Sequence, residues 1–361
     1  MKKGIEVDFL PVGKGEHSGD AIIVRWTENE QSKVMVYDGG TKDYGEAIVN
    51  HVRKYYGVDF IDYVVNSHPD NDHAGGLTYV IKNIDVGELW MHRPWEYSDV
   101  IRDFFHDGRM TDNSLAERLK QKMAAAYALE QAAIEKGIPI YEPFADSTIG
   151  IFTVISPLRA RYIYDLIPNF SKSPESKKPA LSQEGIAESL GHVIQEAVSA
   201  LADTWNTEYL PETVETSAEN ESSAILFSRF NDNGYLFTGD AGIESLREAA
   251  VYAAALGIDL PKEVNFVQIP HHGGRHNVST ETLNLIVGGP LANGTKPFRT
   301  AFVSASRTAP MHPKKVVTNA FIRRGFKVVQ TKGKQIHHRY NLARREGWVS
   351  ATLVPFYEET D

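Results

Sequence analysis

The sequence predicts an α/β chain folded as a four-layer αββα sandwich, with two mixed sheets packed face to face and helices outside. Strand and helix patterns alternate in both halves of the chain. Apolar strands in each half also run into polar loops that carry His and Asp. If those loops build one site, the sandwich must gather them at one edge.

The elements are read in order. Residues 5–10 and 21–26 have strand character and are joined by a turn-rich segment, 11–20. A third apolar run, 34–37, ends at Asp38-Gly39-Gly40, and 44–56 has helical spacing with Ile48, Val49 and Val52 on one side. The nearly continuous apolar run 61–66 fits a strand buried on both faces and delivers the chain to Ser67-His68. Residues 115–136 form the longest helical pattern, with Asn113 or Ser114 as N-cap and Gly137 as stop. A strand follows at 149–155. The segment 171–217 is enriched in Ser, Glu, Lys and Pro, with a helix near 186–202, and reads as an insertion or cover. Strands at 224–230 and 235–238 flank an Asn231-Asp232-Asn233-Gly234 hairpin turn. A helix at 243–256, strands at 266–269 and 300–304, a helix near 313–324 and a strand at 327–330 complete the chain. No internal repeat is present. We expect one domain over 1–361, with an insertion at about 171–219 and a basic segment at about 311–347.

Composition excludes several classes of function. The 361 residues are 42% hydrophobic and 24% charged, with no cysteine, so thiol catalysis, thiolate metal sites and disulfides are out. No apolar stretch approaches the ~20 residues of a membrane helix, and acids interrupt the N-terminal apolar run; cytoplasmic location and no membrane partner are the expectation. The net charge of −9 argues against a chain whose whole surface binds nucleic acid. Charge is uneven, however. Residues 311–347 hold ten Lys and Arg against one acid, Glu346, so the remainder carries about −18. Such a segment is either a solvated face or a local seat for phosphates.

The most informative string is Ser67-His68-Pro69-Asp70-Asn71-Asp72-His73-Ala74-Gly75-Gly76. It places four potential metal ligands, two His and two Asp, within six residues, directly after a buried strand. Hydrolytic metal sites need imidazoles and carboxylates converging on one point with a position left for water. Thr238-Gly239-Asp240 sets an acid at a second strand end, and Pro270-His271-His272-Gly273-Gly274 sets paired histidines at a third.

With these residues the chain resembles the metallo-β-lactamase fold, and within it the hydrolase domain of ComEC-type competence proteins. The family's His-x-His-x-Asp-His motif appears with Asp at its second position: His68, Asp70, Asp72, His73. Further matches are Phe9 to Gly15 with Asp20-Ala21-Ile22, Tyr37-Asp38-Gly39-Gly40, Asn220-Glu221-Ser222-Ser223, Thr238-Gly239-Asp240, Pro270-His271-His272-Gly273 and His312-Pro313. The membrane channel of competence proteins is absent, so DNA import does not carry over. Where the wider fold has a third His about twenty residues before the bridging Asp, this chain offers Asn220, making one metal position poorer in nitrogen.

The resemblance implies one or two divalent ions, Zn²⁺ or Mn²⁺. His68, Asp70 and the Asn220 region would surround one; Asp72, His73 and one of His271 and His272 the other, with Asp240 between them. His271 is favoured as the ligand, which leaves His272 facing substrate. Asp70, where a metal does not hold it tightly, is a candidate for accepting a proton from water; Asp72 is a catalytic candidate through the ion it would hold, and His312 one for orienting a phosphate or protonating a leaving oxygen. Ser222, Ser304 and Arg307 are candidate substrate contacts, beside Asn220. The leading function is hydrolysis of a phosphodiester, with a phosphate-containing substrate and nucleic acid as candidate partner. The alternatives are hydrolysis of a small ester, lactone or β-lactam, and a metal-binding module without turnover.

Overall fold

The computed structural model describes residues 3–14, 17–28, 31–177 and 205–360. Its strands form two seven-stranded sheets. The first contains β1 (Gly4–Phe9), β2 (Ala21–Glu28), β3 (Gln31–Gly39), β4 (Phe60–Val65), β5 (Asp85–Trp90), β6 (Ile140–Tyr141) and β14 (Ile336–Tyr340), in the order β14-β1-β2-β3-β4-β5-β6. The second contains β7 (Thr148–Ile149), β8 (Phe152–Ser156), β9 (Ile225–Phe230), β10 (Asn233–Phe237), β11 (Val264–Gln268), β12 (Arg299–Val303) and β13 (Phe326–Gln330), in the order β13-β12-β11-β10-β9-β8-β7. Both sheets mix parallel and antiparallel pairs.

The period-two pattern of the strands explains the layering. Ile5, Val7 and Phe9 of β1, Ile22, Val24 and Trp26 of β2, and Met35 and Tyr37 of β3 meet Phe237, Phe266 and Phe302 of the second sheet in one buried cluster. Phe9 packs edge-on to Phe302 with ring centroids 5.3 Å apart. Each such ring contributes roughly 1.5–3 kcal/mol on full burial. The alternate residues, such as Ile23, Val34 and Val36, face helices α1 (Gly45–His51), α2 (Leu77–Asn83), α3 (Asp112–Lys122) and α4 (Ala124–Lys136). On the other side, α5 (Ile243–Ala255), α6 (Thr280–Val287) and α7 (Lys315–Arg323) cover the second sheet. This is the expected αββα sandwich.

Local departures have physical causes. The helix expected at 115–136 is two helices, broken at Met123, whose φ −111° and ψ 48° leave the helical region while its side chain stays buried. The first of them is capped by Thr111 rather than Asn113 or Ser114. Thr111 and Ser114 exchange side-chain and backbone hydrogen bonds in a capping box. The strand expected at 149–155 folds over Gly150, at φ 60°, into the hairpin β7–β8. The turn at Asn231 and Asp232 has φ of 48° and 62°, as a tight hairpin requires. The helix expected at 186–202 lies outside the described residues. Among the described residues no helix is long and apolar enough to cross a membrane.

Candidate metal centre

Loops after β3, β4, β10, β11 and β12 gather at one edge of the sandwich, together with the segment before β2. From β4 come His68, Asp70, Asp72 and His73; from β10, Asp240; from β11, His271 and His272. His73 Nε2 lies 3.2 Å from Asp240 Oδ2, and His68 Nε2 lies 3.9 Å from the same oxygen. His272 Nε2 is 3.8 Å from Asp72 Oδ2 and 4.0 Å from Asp240 Oδ2. Ligand atoms of His68, His73 and Asp240 lie within 4.8 Å of one another, as do those of Asp72, His73 and His272, and of Asp20, Asp240 and His272.

The imidazoles are aimed by their Nδ1 atoms. Asp38, fully buried, contacts His73 Nδ1 at 2.8 Å. It also accepts from the Ser67 amide at 2.7 Å and the Ser67 hydroxyl at 2.6 Å. Ser67 Oγ in turn lies 2.9 Å from His68 Nδ1. One carboxylate thus orients both histidines with Nε2 toward the centre. On the second sheet, Asn277 holds His271 Nδ1 through Oδ1 at 2.7 Å and donates to the Asp240 carbonyl at 2.9 Å.

Backbone strain accompanies this arrangement. Asp38, His271 and His272 have φ of 61°, 45° and 55°, a left-handed region that costs ~1–3 kcal/mol per non-glycine residue. Close approach explains the glycines after His73: a Cβ on Gly76 would sit 2.0 Å from the Gly39 carbonyl oxygen, packing the ligand loop of β4 against that of β3.

Burial opposes charge on His73 and His272, but neighbouring carboxylates win. Asp240, Asp38 and Asp72 hold His73 well above the usual imidazole range, and Asp240, Asp72 and Asp20 bring His272 up to about 9. Asp240, despite burial, is held well below the carboxylate range by His73, His271 and His272. Asp20 goes the other way: burial raises its pKa.

The residues fit a divalent cation. His68 Nε2, His73 Nε2, both ring nitrogens of His272, Asp240 Oδ1 and Asp20 Oδ1 are buried with no hydrogen-bond partner. Buried polar atoms are ordinarily paired, and a set of orphans converging from four segments is what an ion between them would satisfy. The set contains only imidazole and carboxylate donors, which suits zinc or a harder ion.

The other residues singled out in the sequence are placed as follows. Asp70 Oδ2 lies 3.7 Å from His68 Nε2, but its other oxygen is engaged by the ammonium of Lys172. His271 Nε2 is 3.9 Å from Asp240 Oδ2 with its side chain 36% exposed, at the rim, whereas His272 is buried among Asp72, His73 and Asp20. The resemblance left His271 and His272 open and the sequence favoured His271 as nearer the strand end; among the described residues it is His272, not His271, whose ring nitrogen falls within the groups that could hold an ion. Asn220 Nδ2 is 3.3 Å from His271 Nδ1. Ser222 donates to the Glu219 carbonyl and closes a turn; Ser223 instead accepts from the Asp240 amide at 3.1 Å. Ser304 is buried at the end of β12, beside Asp20. The His312 ring stacks 6.3 Å from that of His271, and burial together with His272 and His271 lowers its pKa to about 4. Arg307 is exposed, its stem lying over Gly333. Sequence reasoning missed Asp38 and Asp20 as site residues, although both end turn-rich or strand-end motifs. It also missed Lys172, which has no local signal.

A family model for the metallo-beta-lactamase superfamily matches residues 15–108, the stretch that carries His68 to His73. No curated protein matches the chain. Solved structures that resemble it are distant. The metallo-beta-lactamase fold protein YhfI from Bacillus subtilis is 8% identical, over 93% of this chain and 100% of that one, with a TM-score of 0.40. Tm1679, described as a metal-dependent hydrolase of the beta-lactamase superfamily, is 12% identical over 94% and 100%, with a TM-score of 0.38. AidC, a dizinc quorum-quenching lactonase, is 11% identical over 67% and 69%, with a TM-score of 0.31. The chain is a mixed α/β, two-sheet sandwich consistent with the αββα arrangement of the metallo-beta-lactamase superfamily, whose model its residues 15–108 match.

Proposed function

We propose that the protein is a metal-dependent hydrolase acting on a phosphodiester. The observation that carries this reading is the convergence of unpartnered His68, His73, His272, Asp240 and Asp20 atoms at one sheet edge. His68, His73, His272, Asp72 and Asp240 would hold one or two Zn²⁺ or Mn²⁺ ions. When bound, such ions supply Lewis-acid activation of water and of the scissile group.

The chain's own residues have separate tasks. Asp38 and Asn277 fix the imidazoles. Asp72, with a side chain 37% exposed, faces the mouth, and against burial His73 and His272 hold its carboxyl well below the usual carboxylate range, which suits holding an ion rather than accepting a proton. Lys172 and His312 border the opening from different segments. A phosphate diester matches a mouth edged by an ammonium and an imidazole N–H better than a neutral lactone does. The Asp at the second motif position, typical of the competence-type branch, also supports a substrate of this class.

The purified full chain, loaded with Mn²⁺ or Zn²⁺, would be assayed against bis(p-nitrophenyl) phosphate, short oligonucleotides, a homoserine lactone and a β-lactam. Metal-dependent cleavage of the diesters is expected. Turnover confined to the lactone or β-lactam, or none at all, would overturn the reading.

A further inference from the structure

A cavity of about 880 Å³ lies at the open side of the sandwich, between the edges of β13 and β14 and the chain that follows them. It is at the large end of the ~300–1,000 Å³ range of ligand pockets. Its lining includes Lys332, Lys334, Arg339, Arg344 and Arg345 and contains no Asp or Glu. In a chain of net charge −9 this is a strong local asymmetry.

The five cations are not equivalent. Arg345 is spent inside the fold, pairing with Asp8 Oδ2 at 2.7 Å and Glu6 Oε2 at 2.8 Å on β1. The other four keep their charge. Lys332 donates to the Ala309 and His312 carbonyls, Arg339 to the Leu342 carbonyl and Arg344 to the Trp348 carbonyl. Bonds to neutral carbonyls fix direction without cancelling charge, and among the described residues no ion pair joins these four to a carboxylate. The Arg345 anchor also preforms the cavity by tying the following chain to β1.

Two further features point to the ligand. Trp348 lines the cavity with the Arg345 guanidinium over its ring at 5.0 Å and the His337 and Tyr55 rings at 5.4 and 5.5 Å, and so adds to the cationic lining an aromatic side chain of the type on which bases stack. Lys332 joins the cavity to the candidate metal centre, since it holds the His312 carbonyl at 2.6 Å and the His312 ring stacks on His271. One residue thus separates the cationic cavity from the site rim.

We propose that this cavity is a binding site for the phosphate backbone of single-stranded nucleic acid, leading a strand toward the metal centre. The proposal rests on the phosphodiesterase reading, which it deepens with a second site. An acidic protein segment would also meet the charge, but it would not use the Trp348 side chain.

The test uses Lys334→Ala, Arg339→Ala and Arg344→Ala combined, because all three side chains are exposed and none anchors the fold. Binding of a hydrolysis-resistant phosphorothioate oligothymidylate to the metal-loaded full chain is followed by fluorescence anisotropy against salt. With about four phosphates neutralised, log affinity should fall with log salt at a slope near −2.8, about fiftyfold between ~50 and 200 mM. The triple variant should fall to a slope near −0.7, with cleavage of bis(p-nitrophenyl) phosphate unchanged. A single Trp348→Ala variant should weaken the oligonucleotide but leave polyglutamate unaffected. An unaltered slope in the triple variant, or polyglutamate binding as tight as the oligonucleotide, would overturn the site. Absence of diester cleavage by the unmodified protein would instead overturn the phosphodiesterase reading, while the slope still reports on the cavity.

Discussion

Replacing Asp38 by Asn is the sharpest perturbation of the centre that replaces no proposed ligand. Its two oxygens meet three partners: the Ser67 amide at 2.7 Å, the Ser67 hydroxyl at 2.6 Å and His73 Nδ1 at 2.8 Å. An Asn has one acceptor oxygen. If that oxygen serves the fixed Ser67 amide, the NH₂ group faces His73 Nδ1 and forces its proton onto Nε2, the atom that should meet the metal. If the oxygen instead turns to His73, two donors confront each other at Ser67. Either way one charge-assisted bond of ~1.5–3 kcal/mol is lost. That matches the ~10–100-fold loss of metal affinity seen when a partner behind a ligand is removed. Zn²⁺ affinity would be measured by competition with a chromophoric chelator, with circular dichroism to check the fold. A folded Asp38→Asn protein that binds Zn²⁺ within about threefold of the unmodified chain would refute the orienting role.

Three more expectations follow from the same contacts. His312, held neutral at pH 7 by burial and by the His272 and His271 imidazoles, should act as a hydrogen-bond donor to the leaving oxygen. His312→Ala should then cut turnover about 10²-fold on a poor leaving group and much less on a nitrophenyl ester, and a loss independent of leaving group would contradict it. Lys172→Met should free Asp70 and tighten binding of a second metal equivalent by up to about fivefold, from the ~0.2–1 kcal/mol of a partly exposed pair; metal analysis after dialysis that shows no change would contradict it. Arg345→Met removes one of several partners of Glu6 and Asp8, which keep Arg25 and the His337, His51 and Tyr56 side chains respectively, and should cost ~1.5–3 kcal/mol in urea melts, the worth of a hydrogen bond to a charged group. Asp8, against its burial, is held well below the carboxylate range by His337, His51 and Arg345, so its contribution is present above its unfolded pKa of ~3.9 and fades as pH falls through the depressed folded value. The acid limb of the stability curve should flatten in the variant, and an unchanged limb would contradict this.

Strands with continuous or alternating apolar patterns were legible because burial on a sheet imposes them. β14 was not: its sequence is Ile-His-His-Arg-Tyr, and its period shows only once His338 is seen against Phe266 at 4.8 Å and His337 against Asp8 at 3.1 Å. The break at Met123 was equally hidden, since an Ala- and Leu-rich stretch favours helix on both sides of it. At the site, His68, Asp72, His73 and Asp240 announce themselves as ligand types at strand ends. The choice between His271 and His272 depends on two left-handed residues that no spacing reveals. Lys172 reaches Asp70 across 102 residues, a contact set by tertiary packing alone.

The central claim is that a divalent ion sits among His68, His73, His272, Asp72 and Asp240. Anomalous scattering from crystals of the full chain grown with Zn²⁺ or Mn²⁺ tests it directly. A peak within bonding distance of His73 Nε2 and Asp240 is the result this account predicts. Metal found only at the Glu6, Asp8 and His337 cluster, or a centre left without density at saturating ion, would contradict it.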